Sequence, residues 1–318
     1  MINAGNDYAV QTHHLTRYFG AKRVVYDLNL NVPRGSIFGF LGRNGSGKTT
    51  SLRMMMGLLK PTWGSSTILG HDSQRLPPEV RARIGYLAEG HPVFGWMRVK
   101  DAHAYQAQFY PKWNKGLFHS VLEFFRVDPK TRAKNLSRGE RAGLCLAMAL
   151  APEPDLLILD DPAIGLDPVA RRSLLESMVY ATRQADRTIL FSSHLLADIE
   201  RMADHIAILD YSVLRAQCSL DMFRSCVQQF VLKFAGVPPT LPAIKGVIQR
   251  LPRGNQLRLT LVNVTVQTRD VLKGLGSLSM EEVPISLEDA FVSYLGGSLE
   301  NVRLPESEQT AEVAGGVL

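Results

Sequence analysis

Eight consecutive residues, Gly42-Arg43-Asn44-Gly45-Ser46-Gly47-Lys48-Thr49, fit the pattern GxxxxGK[ST] in full. Glycines let the backbone curl until successive N–H groups point at one spot. A helix starting at Lys48 adds roughly half a positive charge there from its dipole. The anion suited to such a cradle is a nucleotide polyphosphate. Lys48 can reach its β- and γ-phosphates, the Thr49 hydroxyl can ligate Mg²⁺, and Thr50 belongs to the same nucleotide-binding segment. A second acid suits the same ion. Asp160 closes the apolar run Leu156–Asp160 (LLILD), where its carboxylate can hold Mg²⁺ directly or through water.

The flanking elements are the ones this chemistry requires. Ser36–Leu41 (SIFGFL) reads as a short buried strand leading into the glycine-rich turn. Thr49, Leu52, Met55, Met56 and Leu59 then recur at helical spacing until Pro61 ends the pattern. Tyr8–Gln11 and Val24–Val32 alternate like strands, whereas 97–151 is mostly helical with interruptions at Pro111 and Pro129. LLILD suits a strand buried on both faces of a parallel sheet. Helix is predicted over Arg171–Gln184 and Leu195–Ala203, and strand over Thr188–Ser192 and Ile206–Leu209. That alternation indicates an α/β fold.

Four more segments stand in a telling order: Phe19-Gly20, Leu136-Ser137-Arg138-Gly139-Glu140, Asp161-Pro162 with Gly165-Leu166-Asp167, and Ser192-Ser193-His194. With them the chain resembles the ABC ATPases over roughly residues 8 to 215. The resemblance implies a P-loop NTPase of ABC type, with a mixed sheet core, an N-terminal antiparallel part and a helical signature subdomain. ATP and Mg²⁺ are its implied cofactors. Phe19 would stack on adenine as the A-loop aromatic. Ser137, Arg138, Gly139 and Glu140 would form the signature that meets ATP held by a second subunit, and Asp167 would belong to the D-loop. His194 would be the switch histidine.

Several positions depart from that pattern. Asp161 stands where a glutamate usually polarises the attacking water, and Glu89 (IGYLAEG) where a glutamine usually senses Mg²⁺ and the γ-phosphate. Arg138 replaces a signature glycine, and Glu140 the signature glutamine. Asp161, His194 and Glu89 are therefore the implied catalytic set, and Thr49, Asp160 and Glu89 the metal set. Asp161 is one methylene shorter than glutamate, so its carboxylate falls about 1.5 Å short on a fixed backbone. A misplacement of about 1 Å can cost on the order of 10²-fold in rate, so slow hydrolysis is expected while binding survives.

Beyond about Leu220 the character changes. Phe230–Phe234 and Leu257–Leu261 alternate like half-buried strands, and Ser286 caps a helix with Asp289 three residues on. The expected organisation is an ATPase domain at 1–220, a small α+β domain at 221–300 and a disordered tail at 301–318. Ile285–Gly297 (ISLEDAFVSYLGG) also resembles a segment of ABC-2-type exporter ATPases, although a plain amphipathic helix reads the same way.

Composition narrows the setting. The longest mostly apolar stretch, Ala142–Ala151, is too short to span a bilayer, and no secretory leader opens the sequence. Cys145, Cys218 and Cys226 show no metal-ligand spacing and read as small hydrophobes of a reducing compartment. A net charge of +6 is scattered, without a nucleic-acid motif. The expected protein is cytoplasmic and peripheral on the inner face of the membrane. It would pair with a second ATPase subunit, as homodimer or heterodimer, and power a separately encoded ABC transmembrane subunit, in the export direction. The alternative is a soluble or regulatory ABC ATPase with weak hydrolysis, uncoupled from transport. Phe94 and Trp96, in the loop His91–Met97 (HPVFGWM), are either a docking groove for the membrane subunit or locally packed.

Overall fold

Local sequence pattern accounts for most of the elements in the computed structural model. It describes residues 7–183, 187–242 and 244–296, with the helical backbone alone at 181–183. The chain divides into two compact units, Met1–Leu214 and Arg215–Leu318. The boundary lies inside a strand, a few residues ahead of the 220/221 division expected from composition.

The first unit opens with the antiparallel strands β1 (Tyr8–Phe19), β2 (Lys22–Leu28) and β3 (Asn31–Pro33). The alternation read over Val24–Val32 is carried by two strands, with a break between β2 and β3. Thr12, buried on β1, explains the break. Its hydroxyl donates to Leu28 O at 2.7 Å and accepts from Leu30 N–H at 2.8 Å, supplying bonds that a continuous ladder would have made. Next comes β4 (Ile37–Gly42), buried at every residue, followed by α1 (Lys48–Met55). The helix stops short of the predicted Leu59. Gly57 takes a left-handed φ of 70°, and its N–H bonds back to Met54 O, a glycine-terminated helix end. Then β5 (Trp63–Ile68) and β6 (His71–Asp72) complete an antiparallel sheet ordered β2-β1-β5-β6, with β3 on β1.

A short helix α2 (Pro78–Arg81) leads to β7 (Ile84–Leu87). The predicted helical region resolves into α3 (Val99–Ala107), α4 (Lys115–Phe124) and α5 (Arg138–Leu150), with the two prolines in the gaps. Thereafter strands and helices alternate: β8 (Leu156–Leu159), α6 (Pro168–Arg183), β9 (Thr188–Ser193), α7 (Leu196–Met202) and β10 (His205–Asp210). The parallel strands lie in the order β10-β4-β9-β8-β7. Strands β4, β8 and β9 are buried throughout, as their unbroken apolarity requires. One core joins Val10, Leu15 and Leu28 of the antiparallel sheet, Leu52 and Met55 of α1, and Phe40 and Ile158 of the parallel sheet.

The second unit begins within β11 (Val213–Ser219) and continues through α8 (Leu220–Cys226) and β12 (Val227–Lys233). It ends with β13 (Val247–Arg253), β14 (Gln256–Val262), α9 (Val266–Lys273), β15 (Ser279–Val283) and α10 (Leu287–Gly296). The sheet β13-β14-β12-β15 is antiparallel, with Phe230, Leu232, Leu259, Leu261 and Leu272 in its core. Ser286 does cap the last helix, accepting from Asp289 N–H at 3.0 Å. The tail expected at 301–318 lies outside the described residues. The three cysteines are free, and burial pushes the Cys145 and Cys218 thiols up to about 12, which leaves them unreactive.

Candidate functional site

The glycine-rich loop hangs between β4 and α1, and its shape depends on Gly47. That residue has φ 109°, and a Cβ there would sit 2.3 Å from the Val24 carbonyl oxygen. No other residue fits. Arg43, Asn44 and Gly45 are exposed along the loop, whereas Ser46 is buried with its Oγ unpartnered. Lys48 is 6% exposed, and its Nζ donates to Gly42 O at 2.7 Å and Arg43 O at 3.3 Å. An ammonium has three protons, so one remains for a ligand. Burial lowers the Lys48 pKa, and the charges of Asp161, Asp160 and Glu89 oppose that shift.

Asp160 follows β8 and is fully buried. Its Oδ1 accepts from Thr49 Oγ1 and from Ser192 Oγ, each at 3.0 Å. Its Oδ2 is buried and, among the described residues, has no hydrogen-bond partner. Burial raises the Asp160 pKa, the Thr49 and Ser192 bonds counter it, and the nearby charges of Glu89 and Asp161 add to the rise. A buried carboxylate oxygen without a partner calls for a counter-charge. A divalent cation would satisfy it and reverse the pKa logic. Among the described residues no group of three or more His, Cys, Asp or Glu could hold a metal. Thr49 and Asp160, joined at 3.0 Å, are protein donors that fit, with water and phosphate oxygens completing the shell, as Mg²⁺ prefers. Glu89 is exposed beyond β7, and its charge reaches Lys48 and Asp160.

Ser192 also accepts from the Asp161 N–H at 2.8 Å, so one hydroxyl ties the two aspartates together. Asp161 has φ 44°, in the left-handed region where aspartate is several-fold enriched over most side chains. That backbone gives a physical reason for aspartate here. Its carboxylate faces His194, whose Nδ1 lies 2.8 Å from Oδ2 and 3.1 Å from Oδ1. A carboxylate only accepts, so Nδ1 carries the proton and Nε2 is the nitrogen left for a ligand.

The residues expected to form the signature stand at the start of α5. Ser137 caps the helix, its Oγ accepting from Glu140 N–H at 3.2 Å, while Glu140 Oε2 accepts from Ser137 N–H at 2.8 Å. Glutamate in place of glutamine thus completes a capping box. Arg138 reaches Gly165 O at 3.3 Å, and a Cβ on Gly139 would lie 3.0 Å from Ala170 Cβ. Asp167 accepts from Val169 N–H and Ala170 N–H, so it starts α6 three residues before the predicted Arg171.

At the other end, Phe19 is 47% exposed, with the Arg17 guanidinium 4.5 Å from its ring centroid. In the loop after β7, Phe94 and Trp96 are 64% and 70% exposed, with ring centroids 6.1 Å apart. Local packing does not bury them. His91 departs from its loop: it is buried, and its Nε2 donates to Pro162 O at 2.9 Å. Sequence reasoning gave neither His91 nor Ser192 a role in the site, because their partners lie 71 and 32 residues away.

The family model for ABC transporters matches residues 25–164. The bacitracin transport ATP-binding protein BcrA of Bacillus licheniformis is 34% identical over 214 residues, 67% of this chain and 70% of that one. A Nod factor export ATP-binding protein I from Rhizobium sp. is 30% identical over 302 residues, 92% of this chain and 98% of that one. The fold also matches a dimeric post-hydrolysis ATP-binding cassette, MJ0796 bound to ADP and Pi. That match has a TM-score of 0.59 and 20% identity, covering 66% of this chain and 98% of that one.

Proposed function

Because the chain belongs to the ATP-binding proteins of ABC transporters, we propose which of its residues bind ATP, hydrolyse it and pass the change to a membrane partner. ATP binding and hydrolysis are its activity. One observation carries the assignment of residues. Thr49, Asp160, Ser192, Asp161 and His194, drawn from α1 and the ends of β8 and β9, form a single hydrogen-bonded chain beside the Lys48 ammonium.

The loop amides of residues 43–48 receive the phosphates, and the third proton of Lys48 points the ammonium's charge at the β- and γ-oxygens. Mg²⁺, held by Thr49 and Asp160, would neutralise charge at those oxygens. Asp161 accepts the proton of the attacking water. The Nδ1–H of His194 holds that carboxylate in place. That carboxylate is shorter than the usual glutamate, and slow turnover follows from its reach. Phe19 stacks on adenine once Arg17 moves from its face.

The other half of each site comes from a second ATPase subunit, a copy of this chain or another cassette, whose Ser137 and Gly139 equivalents close on the γ-phosphate. Among the described residues no helix is long and apolar enough to cross a membrane. The crossing is assigned to a separately encoded transmembrane subunit that holds this chain on the inner face of the membrane. Phe94 and Trp96 offer it an exposed aromatic pair. Export is the direction favoured by the Nod factor export relative and the ABC-2-like end of the chain.

Steady-state ATPase rates of wild type, Asp161→Glu and Asp161→Asn test the catalytic assignment. Asp161→Asn should lose about 10²-fold in kcat, and Asp161→Glu should exceed wild type. Equal rates for wild type and Asp161→Asn would refute it. The Asn variant should also sediment as a dimer with MgATP and as a monomer with MgADP.

A further inference from the structure

The loop after β7 is exposed at Glu89, Gly90, Phe94 and Trp96, yet His91 within it is only 4% exposed. A buried imidazole needs a partner. It has one: Nε2 donates to the carbonyl of Pro162 at 2.9 Å. That carbonyl sits in the turn from Asp161 to Ile164, which is closed by Ile164 N–H on Asp161 O at 3.1 Å. Pro162 directly follows Asp161, whose left-handed backbone persists only where its surroundings hold it. Three groups from elsewhere in the fold do so. Ser192 takes the Asp161 N–H, His194 takes its carboxylate, and His91 takes the next carbonyl.

We propose that His91 is a positioning residue for ATP hydrolysis, holding the Pro162 carbonyl so that the Asp161 carboxylate stays aimed at the attacking water. The inference rests on the reading that Asp161 accepts the water's proton. Two demands meet at position 91. Its own φ is 54°, where Asn, Asp and His are the enriched non-glycine residues, and the Pro162 carbonyl requires an N–H donor. Aspartate fails the second demand, and the amide of asparagine ends closer to the backbone than imidazole Nε2. Histidine meets both. The Pro162 carbonyl only accepts, so Nε2 carries the proton and donates. Loss of that donor leaves the turn free to shift, and a misplacement of about 1 Å is enough to govern rate.

The experiment uses the full chain and compares wild type, His91→Ala, His91→Phe, His91→Gln and Asp161→Asn. It measures kcat and KM for MgATP, affinity for a fluorescent ATP analogue, and melting temperature. Removing the donor in His91→Ala and His91→Phe should lower kcat about tenfold, with analogue affinity within twofold of wild type. His91→Gln, whose amide nitrogen can stand where Nε2 stands, should recover most of kcat. Should His91→Ala fail to fold, the contrast of Phe with Gln decides the matter. Kcat within twofold of wild type in the Phe variant overturns the proposal, and so does a Gln variant as impaired as Phe. If Asp161→Asn turns over like wild type, the reading of Asp161 fails first and the proposal falls with it. An active Phe variant beside an inactive Asp161→Asn refutes His91 alone.

Discussion

The two surfaces that would grip a nucleotide are built in opposite ways. Lys48, Asp160, Asp161, Ser192 and Ser193 are buried and cross-linked within one chain. Ser137 and Arg138, by contrast, are exposed, and Glu140 bonds only to its own helix start. Desolvated groups held by several bonds cost nothing to reorganise when a ligand arrives. Exposed groups at a helix N-terminus add attraction only once a phosphate is brought to them. On the proposed reading, a single chain holds a finished receptor for the phosphates and an unfinished one on its surface.

The largest expected effect tests the finished half. Lys48→Ala removes the buried cation proposed to face the β- and γ-phosphates, and MgATP affinity should fall by about 10²-fold in fluorescent nucleotide titration. Unchanged affinity would erase the contrast. Ser137→Ala tests the other half. The isolated chain should bind ATP as wild type does, while ATP-driven dimerisation, followed by sedimentation, weakens about tenfold. Loss of binding in the monomer would show that the signature acts in its own chain.

Phe19 blurs the division, since it belongs with the first half yet stands in solvent. Stacking on a base is worth about 1–3 kcal/mol, and displacing Arg17 from the ring gives back about 0.5–1 kcal/mol. Phe19→Ala should therefore weaken ATP binding about fivefold by titration, and no change would remove Phe19 from the base site. The smallest effect belongs to Glu140. Glutamine caps a helix as glutamate does but carries no charge. Glu140→Gln should leave the melting temperature unchanged and strengthen MgATP-dependent dimerisation about two- to threefold. Weaker dimerisation would mean that the carboxylate itself is needed at the interface.

What was legible in the sequence follows the same division between local and distant causes. The phosphate loop is a contiguous motif whose glycine angles and helix start are dictated by neighbours, so it could be read directly. LLILD announced a buried strand by its apolarity, and TILFS announced a strand. β13 and β15 did not, because edge strands of polar composition such as SMEEV lack an alternating face. The left-handed turn at Asp161 and the tether from His91 were also invisible. Both arise from contacts between loops that meet only after the parallel sheet has formed. The break inside the strand-like stretch Val24–Val32 was hidden for a related reason, since the hydroxyl that interrupts it belongs to Thr12 on another strand.

The exposed aromatic pair beyond β7 has an optical consequence. The chain contains three tryptophans. Trp63 lies edge-on to Tyr18, the neighbour of Phe19, and Trp113 donates to His103 Nε2 in the helical region. Trp96 stands 70% exposed in its loop. Its emission is therefore set mainly by water, and covering it with another protein should move that emission to shorter wavelength. With Trp63 and Trp113 each replaced by phenylalanine, the remaining indole becomes a built-in lamp for that one event, readable without any label.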